Sequence, residues 1–246
     1  MEKIFGTKHI IILCICLILI VGLFILSRKM KFKTICMSLF YIGMTSEFVK
    51  VFYYIVANEE KYGGILPKSD LPFHLCSIQI IFIAVVCFIN SEKIKRFILS
   101  FMMPSCLFGG IAAIFLATTS SLNGGIAITL QYFLYHVSIV VFGLYLLTSK
   151  EVDLNIKDYF NCLKFLLIIF LFAIYINSII YDGQSNINFM YVAGPPMEGL
   201  PYLNENQGWL MYILKYASLV VVCISLTYCR QIYIGIKSLI DKKLEE

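Results

Sequence analysis

Long apolar runs broken by short polar stretches organise this chain. Seven read as hydrophobic helices, about Ile10–Leu26, Thr34–Ala57, Leu71–Ile89, Phe97–Ala117, Ile126–Leu147, Tyr159–Tyr181 and Gly208–Ile232. Several approach the roughly 20 residues that a helix needs to cross a bilayer. The pattern predicts an all-α, polytopic membrane protein, a single seven-helix transmembrane domain over residues 1–246. The composition agrees, because 60% hydrophobic and 14% charged residues leave too little polar surface for a soluble domain of this length. The first run resembles a signal peptide, but no small-residue cleavage site follows it. The next stretch, "SRKMKFK", reads as a cytoplasmic anchor.

Charge then orients the bundle. About 13 basic residues (Arg28, Lys29, Lys31, Lys33, Lys93, Lys95, Arg96, Lys150, Lys157, Arg230, Lys237, Lys242 and Lys243) fall on one side of the spans. About four (Lys3, Lys8, Lys61 and Lys68) fall on the other. This positive-inside bias predicts an N-terminus outside and a C-terminus in the cytoplasm of a multi-pass protein of the cell membrane. The net charge of +5 is spread among loops and forms no nucleic-acid patch.

Two external segments stand out. "SSLNGG" (Ser120–Gly125) reads as a tight turn. Residues 182–207, "DGQSNINFMYVAGPPMEGLPYLNENQ", form a long loop whose aromatics argue against disorder. Such a loop is either functional or an interfacial segment with its rings at headgroup level.

Five helices carry polar groups into the same half of the bilayer. By helical rise, Cys76 lies roughly 7–8 Å below the outer face and His136 roughly 15 Å down. Glu47 lies near the midplane with Lys50 a turn above it. Asn177 and Lys215 approach the outer ends of their helices. Ionisable groups at such depth usually face the bundle interior or a wet cavity. Each also has a plain structural reading. Glu47 and Lys50 pair at i,i+3, Lys215 snorkels toward headgroups, and Asn177 bonds a neighbouring helix. Their common depth predicts a polar pocket open to the outside.

The nine cysteines all lie in or beside apolar runs, with no CxxC pair, so neither a zinc ribbon nor a redox dithiol is indicated. Most read as small buried hydrophobes. The stretch "LPFHLCSIQ" (Leu71–Gln79) is different, since it holds one of only three histidines beside a cysteine. Pro72 suits a first helical turn, which sets Cys76 where the helix dipole fades. His74 lies about 200° around a regular helix from Cys76, whereas His136, on another helix, is free to approach it. A cysteine with a sequence-distant histidine is the general arrangement of an activated thiol nucleophile. The set His74, Cys76, His136 and Glu47 supplies metal-ligand types equally well.

"LPFHLCSIQI" also resembles the LP-x-H-L-C signature of YwaF-like bacterial integral membrane proteins, which belong with the eukaryotic transmembrane protein 164. "LQYFLYHVSIVVFGLY" (Leu130–Tyr145), "INFMYVAGPP" and "NENQGWLMY" extend the resemblance over most of residues 40–235. The eukaryotic member is regarded as a lipid acyltransferase with a cysteine and a histidine. The resemblance therefore implies Cys76 as nucleophile and His136 as base, acting on membrane lipids through a thioester. In that scheme His74, Gln79 and Asn177 are candidate oxyanion donors, and Lys50 or Lys215 a holder of a phosphate headgroup. No cofactor and no dedicated metal site is implied. Three alternatives stand beside it: a protein binding a metal ion or small solute in the pocket, a transporter, and a scaffold. The transporter would need polar residues through the cytoplasmic half, where helices three to five read as Ile, Phe, Leu, Val and Cys.

Overall fold

The computed structural model describes residues 4–149, 152–183, 187–197, 200, 202–203 and 208–245. Parts of the long loop (184–186, 198–199, 201 and 204–207), and the charges at Lys3 and Lys150, lie outside the described residues. In order, the helices are α1 (Thr7–Ser27), α2 (Phe32–Phe52), α3 (Glu59–Tyr62), α4 (Leu75–Phe88), α5 (Glu92–Phe115), α6 (Thr119–Asn123), α7 (Gly125–Thr148), α8 (Ile156–Ile180), α9 (Trp209–Thr227) and α10 (Cys229–Glu245). A π-helical turn, Tyr53–Ala57, extends α2, and 3-10 turns form at Lys68–Asp70 and Phe189–Tyr191. No strand occurs among the described residues. Seven helices are long and apolar enough to cross a membrane, including Lys68–Phe88 taken through its break.

Three details differ from the sequence-based expectation. "SSLNGG" is not a bare turn, because Thr118 caps a short helix by accepting from the Ser121 N–H. Gly125 supplies the positive φ of 86° that starts α7. The last span stops at Thr227 rather than Ile232, and α10 begins beyond Tyr228. Pro72 lies ahead of its helix instead of in its first turn, because α4 begins only at Leu75, with extended His74 as its N-cap.

α5 and α7 form the most extensive helix pair and occupy the centre. α2 and α4 cover one side of them, α8 and α9 another, and α1 lies on α7. Met102, Met103, Cys106, Phe142, Ile139 and Leu146 are buried where α5 meets α7. The flank of α1 is the reverse, with Leu17, Ile18 and Leu26 all exposed, as a lipid-facing surface requires. Lipid is as apolar as leucine, so close packing and hydrogen bonds must hold the helices together. Glycines permit that approach. A Cβ on Gly143 would sit 2.7 Å from the Leu107 main-chain nitrogen, and one on Gly110 would sit 2.6 Å from Val140 Cγ2.

Two buried polar sets are matched across helices. Pro104 inside α5 cannot donate to the carbonyl four residues back. That carbonyl, of Ser100, instead accepts the Tyr228 hydroxyl at 2.8 Å, which ties the α9–α10 junction to α5. Near the N-termini of α5 and α8, Arg96 forks onto both oxygens of buried Asp158 and donates to the Asp153 carbonyl. Asp158 also completes the capping box of Asn155 that starts α8.

The C-terminal ends of α2, α5 and α8 share one end of the bundle with the N-terminal ends of α4, α7 and α9. That end also carries the described part of residues 182–207. Asn177 pins this segment, donating to the Phe189 carbonyl at 3.0 Å and accepting the Phe189 N–H at 2.8 Å. Asn188 binds both Ala193 and Gly194, Trp209 Nε1 donates to the Val192 carbonyl, and the Tyr212 hydroxyl reaches the Tyr191 carbonyl. Met190 and Tyr191 both have a φ of 55°, strained for residues with side chains, inside this dense network. Phe189 and Val192 are buried, so this part is packed structure and not a film at the headgroups.

Candidate functional site

The same end of the bundle encloses a cavity of about 420 Å³, within the usual range for small-molecule sites. Its walls come from five of the long helices (α2, α4, α5, α7 and α9), from α6, and from the segment around Tyr191. Six of the eight residues singled out above line it: Glu47, Lys50, His74, Cys76, Gln79 and His136. Asn177 and Lys215 are not among the lining residues. Asn177 holds the Phe189 segment instead, and Lys215 lies over the Tyr202 ring at 5.5 Å from its centroid.

Cys76 sits in the second residue of α4 and is half-buried. Because the helix starts later than expected, the thiol stands nearer its positive end. The Tyr135 hydroxyl on α7 donates to the Cys76 carbonyl at 2.6 Å, which fixes the first turn of α4 against the helix that carries His136. His136 is buried, with its ring 4.2 Å from that of Tyr132. Nδ1 lies 2.6 Å from the Tyr132 carbonyl. A carbonyl only accepts, so in the neutral ring Nδ1 carries the proton and Nε2 is left as a bare acceptor. That Nε2 is buried and has no hydrogen-bond partner. The sequence-predicted pair thus shares one cavity, but no hydrogen bond joins the thiol to the imidazole.

His74 does not belong to the helix at all. Its Nε2 lies 3.1 Å from the Ser69 carbonyl, and its ring meets Phe189 at 5.0 Å. The same reasoning places its proton on Nε2. Gln79 donates to Ser105 Oγ at 2.8 Å and accepts from the Cys106 thiol. Glu47 accepts from Lys50 and from Ser77, at 2.7 Å and 2.9 Å, so the i,i+3 pair exists and α4 is tied to it. Asp70 and Tyr54 close the wall beyond Lys50. Among the described residues no three His, Cys, Asp or Glu side chains stand close enough to hold a metal ion.

Several lining residues escaped the sequence reading: Ser46, Tyr54, Asp70, Ser77, Ser105, Gln131, Tyr132, Tyr135 and Tyr191. Some left a signal. Gln131, Tyr132, Tyr135 and His136 recur at helical spacing along α7, and Ser46, Glu47, Lys50 and Tyr54 do so along α2. The two stripes meet, since Ser46 Oγ donates to Gln131 Oε1 at 2.6 Å. Tyr191 could not be found this way, because the strained turn at 189–191 delivers it. Burial pushes its phenol up from the ordinary value, so it faces the cavity as a neutral hydroxyl.

A model of the TMEM164 family matches residues 4–228 of the chain. No curated protein and no solved structure matches it.

Proposed function

The chain belongs to the TMEM164 family, and from that membership and the cavity we propose a membrane enzyme that moves or hydrolyses lipid acyl groups. Cys76 is its nucleophile and His136 its base. The observation that carries this reading is the orphaned Nε2 of His136. Leaving a buried acceptor unpaired costs about 1–3 kcal/mol, and such a cost is met most often where the group is used. The Tyr132 carbonyl holds the ring in the tautomer that a general base needs.

The reaction runs in two halves. His136 Nε2 takes the Cys76 proton, the sulfur attacks the ester carbonyl carbon, and the carbon–oxygen bond breaks. The departing alkoxide takes the proton back from Nε2, leaving an acyl thioester on Cys76. An acceptor hydroxyl, from a lysolipid or water, then gives its proton to Nε2 and attacks the thioester, releasing the thiolate. The thiol and the base must close the gap between them when substrate enters, as is common for unliganded sites. The charge bias supports an orientation with this cavity in the outer half of the cell membrane. The same cavity, with its paired Glu47 and Lys50, also supports a second reading as a non-covalent site for a small polar solute.

The test is acylation of the full-length protein in membranes by a lipid-like, cysteine-reactive alkyne probe. Rapid labelling that is lost in Cys76→Ala, falls in His136→Ala and persists in Cys87→Ala and His74→Ala is expected. Labelling of Cys76 no faster than that of the other half-buried thiols removes the enzyme reading and leaves the solute one. Turnover of a labelled phospholipid is the measurement that follows.

A further inference from the structure

An acyl carbonyl attacked by sulfur develops a full negative charge on oxygen, and the site must supply donors for it. The side chains proposed for this task are already engaged. Asn177 spends its amide hydrogens on the Ala173 and Phe189 carbonyls. The proton on His74 Nε2 faces the Ser69 carbonyl, which leaves Nδ1 bare. Gln79 donates to Ser105 and accepts from Cys106, about one turn deeper than Cys76. Lys50 is bound to Glu47, and the Tyr135 hydroxyl is bound to the Cys76 carbonyl.

The start of α4 offers a different kind of donor. A helix leaves its first N–H groups without intrahelical partners, and here no side chain caps them. Ile78 bonds back to His74, so the open set is Leu75, Cys76 and Ser77. A helix end alone would not mark a site. His136, whose Nε2 is buried and unpartnered, lines the same cavity as Cys76 and Ser77, an independent sign that a reacting group is received here.

We propose that the main-chain N–H groups of Cys76 and Ser77, in the open first turn of α4, form the oxyanion-binding site for the carbonyl that Cys76 attacks. The inference rests on the acyl-transfer reading and adds its electrostatic half. As the sulfur–carbon bond forms, the carbonyl π pair moves onto oxygen, where the two amides and the positive end of α4 receive it. On collapse the pair returns, the ester carbon–oxygen bond breaks, and the leaving oxygen takes its proton from His136 Nε2. Tyr135 is a positioning residue in this scheme. Its bond to the Cys76 carbonyl keeps the amides of that turn in register with the imidazole on its own helix.

The experiment is infrared difference spectroscopy of the full-length protein in detergent, acylated with a p-nitrophenyl fatty ester carrying ¹²C or ¹³C at the carbonyl. The thioester C=O stretch is expected below that of the same thioester free in detergent. The shift should survive Gln79→Ala, His74→Ala and Ser77→Ala. Ser77→Pro, which deletes one N–H in a turn that tolerates proline, should move the band back and slow transfer by about 10²–10³-fold. Leu75→Pro follows extended His74 and removes an N–H outside the proposed pair, so its band should stay shifted. An unshifted band in the wild type overturns the inference without any variant. A shift abolished by Gln79→Ala and kept by Ser77→Pro overturns it too. If Cys76 takes no acyl group at all, the acyl-transfer reading fails and this inference fails with it.

Discussion

Replacing Tyr228 by Phe removes one hydroxyl from a fully buried residue, and the cost depends on a proline in another helix. Pro104 leaves the Ser100 carbonyl without its intrahelical donor, and Tyr228 donates to it at 2.8 Å. Without that donor a buried carbonyl goes unpaired in a bundle with no water at hand, a loss of about 1–3 kcal/mol. Pro104→Ala returns an N–H to the Ser100 carbonyl. In that background Tyr228→Phe should cost well under about 1 kcal/mol, because the carbonyl already has a partner. The double-mutant cycle should therefore show a coupling of about 1–2 kcal/mol between two residues that share only one oxygen atom. Thermal or denaturant unfolding of the four proteins in one detergent measures it. Equal losses in both backgrounds would refute the account and leave Tyr228 as packing alone.

Three further outcomes follow from named contacts. Gly143→Ala should destabilise by about 1–3 kcal/mol, since its Cβ meets the Leu107 backbone at 2.7 Å; Gly22→Ala, with nothing within 4 Å, should be neutral or gain up to about 1 kcal/mol in the same melts. Arg96→Ala strands the buried Asp158 carboxylate and should cost about 3–5 kcal/mol. Arg96→Lys should recover only part of this because it cannot fork, and a similar stability for the two variants would count against the bidentate reading. Asn177→Leu breaks the bonds to Phe189, so proteolysis or hydrogen exchange of residues 187–192 should accelerate while exchange in α5 does not. Under the proposed function lipid turnover should fall with it, because Asn188, Met190 and Tyr191 line the cavity.

The sequence made the spans plain because each is a long apolar run, and in a bilayer that is a direct physical requirement. It was weaker where the chain leaves regular structure. Pro72 suggested an early start for α4, yet the chain turns at Pro72 and Phe73 and is extended at His74, which moves Cys76 to the head of the helix and takes His74 off it. The break at Tyr228 carries no glycine or proline to announce it; a tertiary bond to Ser100 marks the place. Asn177 is buried near the C-terminal end of α8, and its partner is a backbone segment twelve residues on, where no helical spacing points. Tyr132 and Tyr135 are legible only through the stripe that they form with Gln131 and His136.

What joins the legible and the illegible parts is the division of labour between side chains and backbone at the cavity. The polar side chains around Cys76 mostly bind one another: Glu47 with Lys50 and Ser77, Ser46 with Gln131, Gln79 with Ser105. In an apolar medium such pairing is what makes them tolerable, and it also withdraws them from direct chemistry. Two kinds of group that take no part in this pairing are the Nε2 of His136 and the first N–H groups of α4. One is an acceptor and the other a set of donors, and both belong to residues that line the cavity holding the half-buried Cys76. A sequence displays side chains and hides main-chain donors, so a reader of letters looks for the oxyanion partner among His, Gln and Asn. In the proposed scheme the helix start supplies it instead, through the displacement of α4 from Leu71 to Leu75.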